Sequence, residues 1–272
     1  MCELAPPVAL ALVVAGAWAL MSPERRAWME QPAGEPAARN QPGTGASADE
    51  RSASDLLRAV KSKYAAAESY QDTGVVHMVA KAPASVRQTL PFATAFERGG
   101  RFRWEFRSRP LLGAGAEQRY VVWSKDQKSF ESYWDVTKQR AKFDSFGMAM
   151  AGPTGVSGGS ASAVIPILRG AGEGWVLEVS NPEDRGSEVV DGVPCRKIGG
   201  PTPQADEVTL WIDKDLLIRR VLIIRTVDPA KLTDSNGRQL QGEKFVAETT
   251  IDISPTFDQA VDDAAFEGPA AE

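Results

Sequence analysis

The stretch from Phe92 to Arg107, FATAFERGGRFRWEFR, constrains the fold of this chain more than any other. Phe92 and Phe96 on one arm, and Phe102, Trp104 and Phe106 on the other, fall at even spacing. Side chains alternate across a strand, so these five leave the sheet on one side. Glu97, Arg101, Arg103, Glu105 and Arg107 take the other side. Gly99 and Gly100 offer the positive φ angles of a two-residue primed turn, which predicts a β-hairpin with an aromatic face and a charged face. The aromatic stripe gains a functional meaning only if it exceeds what a side-chain core requires.

The periodicity of the remaining chain sets the architecture around this hairpin. Ser52 and Asp55 have capping-box spacing, and Leu56, Leu57, Val60, Tyr64 and Ala67 recur at helical intervals, which predicts a helix of about four turns. From Tyr70 to Ala80 the period becomes two. Arg119 to Lys125 and Ser129 to Lys138 are expected to pair across Asp126 and Gln127. Phe143 to Ser160, rich in glycine, reads as a mobile loop, and Ser160 to Arg169 as a short apolar helix presenting Val164, Ile165 and Leu168. Trp175 to Val179 is expected to be a strand. Ser187 to Ile198 reads as a hairpin turning at Asp191 and Gly192, and Val208 to Ile212 pairs with Leu217 to Thr226. Phe245, Ala247, Thr249, Ile251 and Ile253 alternate along a last strand before an acidic tail. With about ten strands and two helices, the chain is mainly β: a single strongly curved antiparallel sheet or unclosed β-barrel, covered by helices.

The N-terminal region has a different character. Leu4 to Met21 is an uncharged apolar run that suits a signal-peptide core or a short membrane anchor, and Arg25 and Arg26 follow it. Residues 22–51 are rich in Pro, Ala, Gly and Glu and poor in large apolar residues, as a flexible linker is. Residues 52–272 then form the folded domain. No cysteine follows the apolar run at the position of a lipid anchor.

Several function classes lack their residues. His77 is the only histidine and sits in a strand, so a Ser-His-Asp or Cys-His arrangement would depend on it alone, and no nucleophile elbow accompanies it. The two cysteines, Cys2 and Cys195, lie far apart, and neither a zinc site nor any other metal or cofactor site is indicated. Cys195 reads as a small buried hydrophobe. Asp213 and Asp215 flank a turn lysine and read as turn chemistry. The glycine pairs lack phosphate-loop context. With a net charge of −5, and basic residues alternating with acidic ones, the chain has no global attraction to nucleic acid. No enzymatic activity is expected.

In order and spacing, LLRAVKSKYAAAESY, TAFERGGRFRWEF, YVVWSKDQKSFESYWDVTKQRAKF, AVIPILRG, LWIDKDLLIRRVLI and ISPTFDQAVDDAAFEGP resemble the periplasmic lipoprotein carriers of the LolA/LolB superfamily, over about Ser54 to Gly268. The resemblance implies an unclosed antiparallel sheet whose apolar concave side is covered by helices and receives acyl chains. It places the domain in the periplasm or cell envelope, exported or anchored to the inner membrane, and makes it a monomer whose partners are lipid or lipoprotein acyl chains and possible membrane proteins. Phe92, Phe96, Phe102, Trp104, Phe106, Trp123, Phe130 and Trp134 are the candidate wall, with Val122 as the inward-facing alternative to Trp123. The other reading of these aromatics is that they only fill the space beneath the helices. An arginine before the second-strand turn helps to hold the helical lid closed in LolA carriers. Arg98 matches it here, though Gly99 stands where the family pattern has proline. Arg98 is thus either a lid latch or a solvated turn residue. A membrane-tethered sensor or regulatory module built on the same sheet is the alternative to a carrier.

Overall fold

The computed structural model describes residues 51–80, 86–109, 116–170, 175–203, 206–231, 238–239 and 241–269, so the expected leader and all but the last linker residue lie outside it. The strands are β1 (Ser69–Ala80), β2 (Val86–Glu97), β3 (Phe102–Ser108), β4 (Gln118–Ser124), β5 (Phe130–Trp134), β6 (Gln139–Phe143), β7 (Glu183–Val190), β8 (Val193–Pro201), β9 (Glu207–Asp213), β10 (Ile218–Val227) and β11 (Phe245–Phe257). The helices are α1 (Ala53–Ala66), α2 (Phe146–Val156), α3 (Ser160–Ala163) and α4 (Ile165–Leu168).

All eleven strands join one antiparallel sheet in the order β6-β5-β4-β3-β2-β1-β11-β10-β9-β8-β7. The first meander walks outward from β1 to β6, and the second walks inward from β7 until β11 pairs with β1. Because β6 and β7 are opposite edges, the chain between them has to cross the whole sheet. That crossing carries α2, α3 and α4, and it lies on the face where the aromatic stripe needs cover. The two edges do not pair with each other, so the sheet is the curved, unclosed half-barrel expected from the sequence. Bare edges invite pairing with other chains. Here β6 shows Arg140 and Lys142 to solvent, and β7 is charged and irregular between Asp184 and Ser187, around Gly186 at φ +81°.

The first helix forms where its cap and stripe predict. Ser52 Oγ accepts from the Asp55 amide at 3.2 Å, satisfying one of the helix's free N–H groups. Leu56, Leu57, Val60 and Tyr64 are buried on the sheet-facing stripe. Each such side chain contributes about 1.5–3 kcal/mol of burial. The Tyr64 hydroxyl also accepts from the Ile218 amide at 2.9 Å, pinning α1 to the start of β10.

In the opening hairpin the turn is one residue longer than the glycine pair suggests. Glu97 N donates to Arg101 O and Gly100 N to Glu97 O, so Arg98, Gly99 and Gly100 form the loop, and only Gly99 has positive φ, at +68°. The consequence for the register is large. A two-residue turn would set Phe96 opposite Arg103, whereas the observed pairs are Phe96 with Phe102 and Phe92 with Phe106. Residues directly opposite share a face, so the third loop residue is what joins the aromatics of both arms into one wall.

Four other expectations are corrected. The segment from Ser129 to Lys138 is not one strand: β5 stops at Trp134, and a turn with Lys138 at φ +52° leads into β6. The glycine-rich segment is helical over α2, capped by Ser145, with Ala149 and Met150 buried; its small residues let it lie close to the sheet. Pro166 divides the next apolar segment into two single turns, α3 and α4, with Val164, Ile165 and Leu168 buried as expected. Trp175–Leu177 is a turn of 3-10 helix rather than a strand. Asp191 and Gly192, at φ +48° and +80°, form the expected primed turn between β7 and β8.

Candidate functional site

The concave face carries one continuous apolar cluster. Phe92, Phe96, Phe102, Trp104, Phe106 and Phe130 all belong to it, each at most 5% exposed, together with Val122 and the sheet-facing residues of α1 to α4. The rings interlock: Phe146 at the start of α2 meets Phe102 and Phe130 edge-on, each at 5.7 Å, and Phe106 stacks on Tyr120 at 6.1 Å. Trp134 is half-buried at the margin, 6.1 Å from Tyr120. Gly74 allows this closeness, since a Cβ there would stand 2.3 Å from the Phe92 ring.

Trp123 is corrected. It lies on the convex face with Val121 and Tyr133, and Val122 is the residue of β4 that faces inward. What covers Trp123 is the C-terminal segment read as an acidic tail. Phe266 is buried under the Arg101 guanidinium, 4.3 Å from its ring centre. Arg103 Nε donates to Glu267 O at 3.0 Å, and Gly268 sits where a Cβ would come within 2.4 Å of Trp123 Cε2.

One end of the wall is closed by polar groups from three elements. Arg98 is not a solvated turn residue: its Nε donates to Ala67 O just after α1 at 2.8 Å, and its Nη2 donates to Leu168 O at the end of α4 at 3.1 Å. It therefore ties the C-terminal ends of α1 and α4 to the β2–β3 turn. Burial pulls its pKa below the usual arginine value. Arg169, 7% exposed, lies 4.2 Å from the centre of Phe146 and 5.5 Å from that of Phe130, and its Nη1 donates to Gln127 Oε1 at 3.0 Å. Arg98→Ala is expected to lower unfolding free energy by about 2–3 kcal/mol in urea titrations, since a charged donor is lost and two carbonyls lose their partner. A change within about 0.5 kcal/mol would return Arg98 to the ordinary surface class.

Two further groups interrupt the apolar interior. Asp72, 5% exposed, accepts from the Tyr70 hydroxyl at 2.7 Å. Burial raises its pKa to about 6 in spite of the Tyr70 hydrogen bond, and its other oxygen, Oδ1, has no hydrogen-bond partner among the described residues. Trp104 Nε1 is buried with no hydrogen-bond partner among the described residues. Asp72 was legible as the one carboxylate in phase with Tyr70 and Val76. Arg169 and Gln127 had no signal, being a lone arginine after a helix and an ordinary turn residue.

An open depression of ≈ 560 Å³ is bordered by Val75, Pro91, Phe92 and Ala93 together with Glu105, Arg107 and Asp252. His77 is exposed and reaches Asp252 only at 3.9 Å. Among the described residues no three His, Cys, Asp or Glu side chains are grouped to hold a metal ion, and no helix is long and apolar enough to cross a membrane. Cys195 is buried with Val190 and Trp211.

No family model matches the chain, and no curated protein matches it. Solved structures similar to it include LprF from Mycobacterium bovis, 14% identical over 83% of this chain and 100% of that one, with a TM-score of 0.45. LppX from Mycobacterium tuberculosis is 14% identical over 77% and 97%, with a TM-score of 0.38. A LolA superfamily protein from Nitrosomonas europaea is 10% identical over 82% of this chain and 99% of that one, with a TM-score of 0.30.

Proposed function

We propose that this is a non-enzymatic cell-envelope protein that takes lipid or lipoprotein acyl chains between the concave face of its sheet and the helical cover. The wall would comprise Phe92, Phe96, Phe102, Trp104, Phe106 and Phe130, with Trp134 at its margin. The observation that carries the reading is the construction of the cover. It consists of α1 and the short helices of the crossing, and the C-terminal ends of α1 and α4 are held to one hairpin turn by a single side chain, Arg98. Releasing those two hydrogen bonds costs about 2–3 kcal/mol, and an entering chain would replace, rather than simply lose, the apolar contacts that the cover makes with the wall. A buried methylene contributes about 0.8 kcal/mol, so one long chain supplies on the order of 10 kcal/mol against that opening and its own ordering. The unpaired Trp104 N–H supports the reading as well, because an acyl ester carbonyl is the kind of acceptor it lacks.

Lipid extraction from the purified protein, followed by mass spectrometry, tests this. Acyl lipids are expected at near-stoichiometric amounts, and a protein that stays empty after incubation with lipid would count against the proposal. Trp104→Phe sharpens the test, since it keeps an aromatic ring in the wall and removes the unpaired donor, although the smaller side chain costs about 1–2 kcal/mol of packing. Retention of ester lipids is expected to fall while that of the corresponding ether lipids holds; equal losses of both would remove the Trp104 N–H from the site. Truncation to alanine is less informative, because the roughly 3–5 kcal/mol lost from the core would itself mimic a loss of binding.

A further inference from the structure

Arg169 is a buried cation with no anion beside it among the described residues. It is 7% exposed, its Nε has no hydrogen-bond partner, and no carboxylate pairs with it among the described residues. The nearby acid of the β2–β3 turn, Glu97, is occupied by Arg101 at 2.8 Å. Arg98, which reaches the carbonyl immediately before Arg169, lies within the electrostatic reach of Glu68 and Asp258, whereas Arg169 has no such neighbour among the described residues. Burying an ion without a partner costs several kcal/mol, and a guanidinium stacked on rings cannot rotate its N–H groups into water. Burial alone holds its pKa down, to about 10.

The surroundings are shaped to offer those N–H groups rather than to hide them. Gln127 holds the left-handed conformation at φ +54°, rare for a glutamine, and so points its amide inward from the β4–β5 turn. That amide accepts from Arg169 Nη1 and donates to the Glu97 carbonyl, bridging the two hairpin turns. Gln127 is itself half-buried on a surface turn, so displacing its carbonyl oxygen opens Arg169 from outside. The guanidinium also lies over the rings of Phe130 in the wall and Phe146 in the cover, and Arg98 stands 5.5 Å from the centre of Phe96. Positive charge therefore collects at one end of an apolar surface, where an amphiphile would present its head.

We infer that Arg169, with Arg98 and Gln127 beside it, receives the anionic head, a phosphate or carboxylate, of an amphiphile whose chain lies along the aromatic wall. The inference rests on the acyl-chain reading for the position of the chain, and on the unpaired guanidinium for the charge of the head. Arginine suits this task because its planar fork matches both oxyanions.

The test titrates delipidated full-length protein with hexadecyl phosphate, palmitate, hexadecanol and inorganic phosphate, by calorimetry and tryptophan fluorescence. The two anionic amphiphiles are expected to bind about tenfold or more tighter than hexadecanol. Arg169→Met should remove that preference, leave hexadecanol binding in place, and melt no lower than the parent protein, because the unpaired charge goes and the packing stays. Arg169→Gln is the second variant, should methionine disturb the fold. Equal binding of anionic and neutral amphiphiles by the parent protein overturns the inference and leaves the acyl-chain reading standing, as does an unchanged preference in either folded variant. Binding of inorganic phosphate, lost in Arg169→Met, with no long-chain ligand bound, supports the anion site with free phosphate as its source and overturns the acyl-chain reading. If none of the four compounds binds, both fall.

Discussion

Asp72→Asn is expected to stabilise this protein at neutral pH by on the order of 3 kcal/mol. The carboxyl is 5% exposed among Tyr70, Val76 and the underside of α1, and burial lifts its pKa from 3.8 to about 6. A raised carboxyl pKa means that the folded state binds its proton more tightly than the unfolded state does. Between those two values the folded chain carries the extra proton, so stability falls as pH rises; below about 3.8 the penalty is absent, and above about 6 it is complete. Two pKa units correspond to about 3 kcal/mol, the size of the expected gain at pH 7. Asparagine keeps an acceptor for the Tyr70 hydroxyl and carries no charge to desolvate. Urea titrations of both proteins from pH 4 to 7 should show a difference close to zero at the acid end that grows through the window and then levels off. A variant less stable than the parent at pH 7 would show that the charged carboxylate is needed.

What the sequence disclosed depended on how local the cause was. The cap at Ser52, the stripe from Leu56 to Tyr64 and the primed turn at Asp191 and Gly192 are decided within one or two turns of chain, and each stands where expected. The parity of the aromatic wall was also legible, although the turn that produces it has three residues rather than two. Glycine pairs announce a turn without fixing its length, and a single residue of length decides which side chains face each other. In β4, by contrast, Val121, Val122 and Trp123 are all apolar and all buried, so no alternation distinguishes the inward residue. The answer lies more than a hundred residues away, in the segment that covers Trp123. The helicity of α2 is decided by tertiary contact too: its glycines disfavour helix in isolation, and the sheet beneath compensates by burying Phe146, Ala149 and Met150. The edge-to-edge topology needed no propensity at all, because it follows from the strand order once β11 pairs with β1.

Ending the chain after Ala260 is expected to cost about 3–5 kcal/mol, although the residues removed read as a polar, acidic tail. Asp258 and its hydrogen bond to the Glu68 amide at 2.8 Å would remain, so the closure of β11 on β1 is untouched. Lost would be the burial of Phe266 at 2% exposure, its cover by Arg101, the Arg101 to Asp263 pair at 2.5 Å, and the backbone acceptor of Arg103. Val121, Trp123 and Tyr133 would then face water as an apolar patch on the convex side. The distinguishing signal is spectroscopic. Tryptophan emission should shift to the red on truncation, and a Trp123→Phe background should remove most of that shift. Were Trp123 part of the concave wall, truncation would leave its emission unchanged. Gly268→Val reaches the same place by a single substitution, for a Cβ there would stand 2.4 Å from Trp123 Cε2, and either the ring or the segment must move. Its expected cost is about 1–3 kcal/mol with the same red shift, whereas a free tail would accept valine with no measurable change in melting.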